Sequence, residues 1–156
     1  MTLESELREE QVSHLGLSGF SKASSGAAVR DVLAQLRAER HNVCLITDAN
    51  DKLVGIFTDR DVLRRVVNAP ETLDAPIDDV MTKAPVTIRP DLSAAAALRA
   101  MDENHFRNLP AVDEHGAILG DMTHQSIINF LASRYPVEIL NRPPDPERFP
   151  RKQEGG

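Results

Sequence analysis

The chain has 156 residues, 41% apolar and 27% charged, a balance that suits one compact domain or two small subdomains sharing a core and excludes a disordered or collagenous chain. A formal net charge of -6, with no long Lys/Arg stripe, argues against a mainly electrostatic nucleic-acid or membrane partner. No apolar stretch approaches the roughly 18 residues of a spanning helix, and the single cysteine, Cys44, excludes an intrachain disulfide and points to a reducing cytoplasm.

Residues 1–14 read as an N-terminal segment. Glu4 and Glu6 stand where a signal peptide needs basic residues, and Leu3 and Leu7 among glutamates allow a short helix. Phe20 to Ala23 is a weak extended piece. Val29, Val32, Leu33 and Leu36 then share one face of an amphipathic helix. Val43 to Thr47 predicts a strand with Cys44 as a buried structural thiol, Asp48-Ala49-Asn50-Asp51 a hairpin turn, and Leu53 to Phe57 a second strand. A second helix follows, with Val62, Leu63 and Val66 as its apolar face.

A link rich in proline, with Pro70 and Pro76, leads to the same order again. Pro85-Val86-Thr87-Ile88 alternates as a half-buried strand, and Pro90-Asp91-Leu92-Ser93 supplies a helix start with a serine or aspartate cap. Ala94, Ala97, Leu98 and Met101 predict the third helix. Leu109 to Val112, the turn Asp113-Glu114-His115-Gly116 and Ile118 to Met122 predict a second hairpin, and Ile127, Ile128 and Leu131 the face of the last helix.

The two halves are an internal repeat. Shifting the sequence by 65 places brings Asp48 onto Asp113, Gly55 onto Gly120 and Thr58 onto Thr123 without a gap. The fold class is therefore α/β, with each repeat a small sheet and two helices. The expected boundaries are 15–69 for the first repeat, 70–79 for the link, 80–135 for the second repeat and 136–156 for a C-terminal arm. A repeat of this size buries only about 60% of its unfolded surface, so the two are expected to pack together about a pseudo-twofold axis. The prolines of Asn141 to Pro150 exclude regular structure there; the arm is either a strap docking Phe149 on a partner or a free polar terminus.

Gly55-Ile56-Phe57-Thr58-Asp59-Arg60-Asp61-Val62-Leu63, Asp79-Val80-Met81-Thr82-Lys83-Ala84-Pro85-Val86-Thr87-Ile88 and Asn108-Leu109-Pro110-Ala111-Val112-Asp113 resemble, in order, three signatures of the CBS domain family. The resemblance covers roughly Gly19 to Ser133. It implies a Bateman module, commonly a homodimer, with adenine nucleotides in clefts between the repeats. In similar modules a Thr or Ser and the Asp three places later face the ribose, which here means Thr58 and Asp61. It also implies that this cleft is completed by Ala84, Pro85, Val86 and Thr87 with Phe106, Arg107 and Asn108. Arg60 and Arg107 are its candidates for a phosphate, which a guanidinium grips bidentately.

Each reading has a structural alternative. Thr-x-x-Asp at a strand-to-helix junction also serves as a helix cap, and exposed arginines also serve as a solvated face. The second motif carries Ser126 where the sugar-binding Asp would stand. Its cleft, expected from Ser21, Lys22, Asn42, Val43, Thr123 and Ser126, is therefore the weaker one. His14, His41, His105, His115 and His124 have no close metal-ligand spacing, and neither a Walker A, a dinucleotide fingerprint nor a nucleophile elbow is present. The expectation is a non-catalytic, energy-sensing module binding AMP, ADP or ATP and regulating an unidentified protein, or else a ligand-free adaptor.

Overall fold

The structure, a computed structural model, describes residues 2–134; the arm expected over 136–156 lies outside them. In chain order it contains α1 (Leu3–Glu9), β1 (Ser21–Ser24), α2 (Val29–Glu39), β2 (Val43–Thr47), β3 (Leu53–Thr58), α3 (Asp59–Asp61), β4 (Thr82–Lys83), α4 (Ala94–Asn104), β5 (Leu109–Val112), β6 (Ile118–Met122) and α5 (His124–Arg134). No described helix is long and apolar enough to cross a membrane.

The first helix of each repeat forms as its pattern requires. Val29, Val32 and Leu36 of α2 and Ala94, Ala97 and Met101 of α4 are buried. The Ser93 hydroxyl caps α4 by accepting from the Ala96 amide at 3.1 Å. Both helices end on a left-handed residue, Arg40 at φ 61 and His105 at φ 56, which stand 65 places apart.

The second helices depart from expectation. α3 runs directly into a π-helical turn, Val62–Val66, closed by the Val67 amide on the Val62 carbonyl at 3.0 Å. Leu63 and Ile128, expected in the apolar faces, are 68% and 54% exposed. Val62 and Val66 in one helix and Ile127 and Leu131 in the other do pack on the cores as expected, so only Leu63 and Ile128 of the expected faces project outward. The strand expected over Pro85–Ile88 is also corrected. Ala84 turns the chain at φ 47 and Pro85 has no amide to donate, leaving Ile88 alone to bridge to Ala111.

The sheets show the repeat most clearly. β1 pairs parallel with β2, placing Ala23 beside Ile46; 65 residues on, Ile88 lies parallel to Ala111. β2 and β3 form an antiparallel hairpin, as do β5 and β6, each with an irregularity before its turn. The outer edge of each hairpin is covered by chain leading into the other repeat. β4 pairs with β3, setting Thr82 against Ile56, and the Leu17 carbonyl accepts from the Asp121 amide at 2.9 Å.

The cores follow the same exchange. Ile77 and Val80 are buried with Val29, Val32, Cys44 and Phe57, whereas Val12 and Leu15 are buried with Ala97, Met101, Leu109 and Met122. The N-terminal segment thus contributes apolar side chains to the second repeat, and the stretch read as a link contributes them to the first. Cys44 is fully buried, and burial, reinforced by Glu39, pushes its thiol up to about 12. It is a packing residue at neutral pH.

Gly120 permits this edge contact. A Cβ there would stand 2.2 Å from the Leu17 Cβ and 2.9 Å from its carbonyl oxygen. Gly120→Ala is expected to cost about 1–3 kcal/mol, the usual range for overpacking, in chemical denaturation. Gly16→Ala, which meets nothing within 4 Å, should be close to neutral.

Candidate functional sites between the repeats

The junction of β3 and α3 opens onto a cleft of about 320 Å³. Thr58 ends the strand and Asp61 lies in the first turn of the helix. Asp61 is 6% exposed. Its Oδ2 accepts from the Thr58 amide at 2.9 Å and from the Thr58 hydroxyl at 3.4 Å, while Oδ1 accepts from the Thr82 hydroxyl at 3.3 Å. The carboxylate therefore caps backward onto Thr58 while remaining part of the cleft lining, so capping and ligand contact are compatible here.

Opposite this pair stand Ala84, Pro85 and Val86, with Phe106 and Asn108 from the second repeat. Thr87 does not line the cleft; beyond the turn at Ala84 the chain leads away toward Ile88 and the second sheet. Sequence reasoning missed Ile56, Thr82 and Pro110 on the walls and Arg64, Arg65 and His105 around them. Ile56 was legible by strand alternation, since residue i−2 from Thr58 shares its face. Arg65 serves the architecture, donating to the carbonyls of Val80 at 3.1 Å and Met81 at 2.8 Å. Arg60 and Arg64 are exposed and make no ion pair among the described residues. Arg107 lines the cleft with its guanidinium 2.8 Å from Asp59.

The equivalent junction of β6 and α5 opens onto a second cleft of about 560 Å³, lined by Thr123 and Ser126 with Asn42 and Val43. The two hydroxyl residues cap one another: the Thr123 amide donates to the Ser126 oxygen at 3.1 Å and the Ser126 amide to the Thr123 oxygen at 3.2 Å. Ser21 and Lys22 are not in the lining. Being within β1, they are held by the sheet; Ser21 is buried against Glu39 and His41, and Lys22 pairs with Asp51 at 2.9 Å. Gly16, Ser18 and Gly19 take their place. The signal was the repeat itself, because Ala84 of the first cleft maps 65 places back onto Gly19.

Asp121 also lines the second cleft, where the first has Ile56. It is 2% exposed. Its Oδ2 accepts from the Asn108 side-chain amide at 2.7 Å, whereas Oδ1 has no hydrogen-bond partner. Burial pushes this carboxyl up to about 6, against the opposing influence of Asn108 and, less, of the Leu109 amide.

Two small strand-helix repeats, with clefts where each β-hairpin meets chain from the other repeat, define a tandem-repeat module with two inter-repeat clefts. The chain belongs to the CBS domain family, whose match covers residues 22–68 and 77–133. A CBS domain-containing protein of Arabidopsis thaliana is 36% identical over 115 residues, covering 71% of this chain and 20% of that protein. An inosine-5'-monophosphate dehydrogenase of Nitrosopumilus maritimus is 36% identical over 106 residues, covering 68% and 21%. The chain thus spans about one fifth of the length of these curated relatives. Among solved structures, CBSX2 in complex with AMP superimposes with a TM-score of 0.69 at 22% identity, over 80% of this chain and 98% of that one. The domain pair of protein MJ0100, in complex with 5'-methylthioadenosine and S-adenosyl-L-methionine, gives 0.67 at 22%, over 80% and 97%. The cytosolic domain of the Mg2+ channel MgtE, in complex with ATP, gives 0.66 at 21%, over 81% and 51%.

Asp121 has a measurable consequence for stability. Its folded value, about 6, lies above the ordinary 3.8, so its favourable contribution is complete below about pH 4 and is lost as the pH rises through 6. Between those limits the wild type should lose roughly 3 kcal/mol relative to Asp121→Asn, at 1.36 kcal/mol per unit of displacement. Denaturation of both proteins at pH 4.5 and 7.5 should capture about 2 kcal/mol of that loss, because at pH 4.5 the unfolded carboxyl is already largely ionised.

Proposed function

We propose that this CBS pair is a non-catalytic regulatory module that binds an adenine nucleotide, AMP, ADP or ATP, in the first cleft and signals its occupancy to a partner protein. The observation that carries this reading is the Thr58/Asp61 pair at the wall of a cleft with an apolar face and unpaired cations at its rim. Asp61 keeps acceptor capacity for ribose hydroxyls beyond its contacts with Thr58 and Thr82. Ile56, Pro85, Val86 and Phe106 offer a surface for the base, and Arg60 and Arg64 stand ready for phosphate. Adenine compounds in CBSX2, MJ0100 and MgtE support the ligand class. The second cleft, with its hydroxyls engaged in mutual capping, is the weaker site. Signalling requires the ligand to bind two conformations with different affinity, and the segments that cross between repeats are placed to report such a change.

The module works as a homodimer in this proposal. Leu63 and Val67 lie one turn apart and exposed on the helical surface of the first repeat, and Ile128, the repeat mate of Leu63, is exposed on the second. A second copy would cover both. The buried lone thiol of Cys44 suits a reducing cytoplasm.

Calorimetric titration with AMP, ADP and ATP tests the ligand. The wild type should bind at least one of them, and Asp61→Ala should weaken that binding about ten- to a hundredfold, the worth of a charge-assisted hydrogen bond. Absence of binding by the wild type would transfer the case to a ligand-free adaptor. Light scattering tests the assembly: Leu63→Lys should shift a dimer toward monomer without lowering the melting temperature of the monomer's own fold.

A further inference from the structure

We infer that Asp121 makes the second cleft selective for a purine nucleotide whose base presents an N–H donor. The inference rests on the proposal that these clefts hold nucleotides, and extends it to what the weaker cleft reads. Asp121 lies on β6 and Thr123 one residue past its end, and both line the cleft, about 6.5–7 Å apart along an extended chain. Ile56 and Thr58 have the same relation in the first cleft. A ligand with its sugar at Thr123 therefore extends its base toward Asp121.

The two positions ask different things of a base. Ile56 offers only shape. Asp121 offers a buried carboxylate with one oxygen held by Asn108 and the other without a donor. An ionised carboxylate accepts but cannot donate, and a buried acceptor left unpaired is costly. A base N–H that displaces the lining over Oδ1, which is buried in the empty cleft, satisfies that oxygen, whereas a purine lacking any N–H leaves it orphaned or sets ring lone pairs against it. Above its raised pKa the group is the ionised acceptor that this pairing needs. The remaining wall is polar: Asn42, Gln125 and Asn129 supply amides, Arg40 supplies a cation, and Arg107 is paired with Asp59.

Both the amino group of adenine and the imino and amino groups of guanine are N–H donors, so the test uses three probes. Asp61→Ala protein, with its first cleft weakened, is titrated at pH 7.5 with AMP, GMP and purine riboside 5'-monophosphate, whose base carries no N–H. AMP or GMP should bind at least tenfold more tightly than the donor-less nucleotide, and whichever binds tighter identifies the edge presented to Asp121. Adding Asp121→Ile, the first repeat's residue, should bring the ratio close to one. Asp121→Asn, which keeps the shape and substitutes a neutral acceptor, should reduce it, and melting curves establish that both variants fold. Equal binding of all three probes, or a ratio unmoved by either substitution, overturns the inference. So does a wild type that binds AMP only at its first cleft, and in that case the proposed function stands. A wild type that binds no nucleotide anywhere overturns both.

Discussion

The structure depends on an exchange of edges. Each hairpin leaves one strand edge unpaired, and each is closed by the segment leading into the other repeat: β4 against β3, and Leu17 against Asp121. The same segments deliver Ile77 and Val80 to one core and Val12 and Leu15 to the other. A single repeat of this size buries only about 60% of its unfolded surface and is marginal alone. Burying the neighbour's side chains and satisfying the edge amides solves both problems at once. It also leaves no room for a side chain at Gly120, where the Leu17 backbone crosses the sheet, and seats the Met81 thioether over Gly55.

That exchange also creates the clefts. Where the crossing chain leaves the hairpin it must turn toward its own repeat, at Ala84 in one case and around Gly19 in the other, and a hollow opens beside the strand-to-helix junction. Repeat symmetry dictates two such hollows. Chemical asymmetry then comes from few positions: Asp61 against Ser126 at the helix start, and Ile56 against Asp121 on the strand. One cleft carries a capping carboxylate, an apolar face of Ile56, Pro85, Val86 and Phe106, and a rim of arginines. The other carries capping hydroxyls above a buried acid.

The clefts are also physically joined. Arg107 and Asn108 line both, and each is tied to a residue of the second cleft's lining, Arg107 to Asp59 and Asn108 to Asp121.

The repeat and its helix-strand-strand-helix order were legible before any coordinates, because periodicity and turn residues are local properties and the 65-residue shift is read from the chain alone; the first cleft was legible only through the family resemblance of its motifs. Thr58, Asp61, Ala84 and Asn108 were legible on that basis. Only the tertiary structure decided which repeat each crossing segment serves, since Val12 and Ile77 look like isolated apolar residues in loops until their burial is known. It likewise decided that Leu63 and Ile128 face outward, that Thr87, Ser21 and Lys22 stand outside the clefts, and that Asp121 is buried with an unpaired oxygen. Strand alternation can assign Asp121 to a face, but whether that face is solvent or a closed cleft depends on Leu17 and Asn108, which reach it from more than ten residues away in the chain.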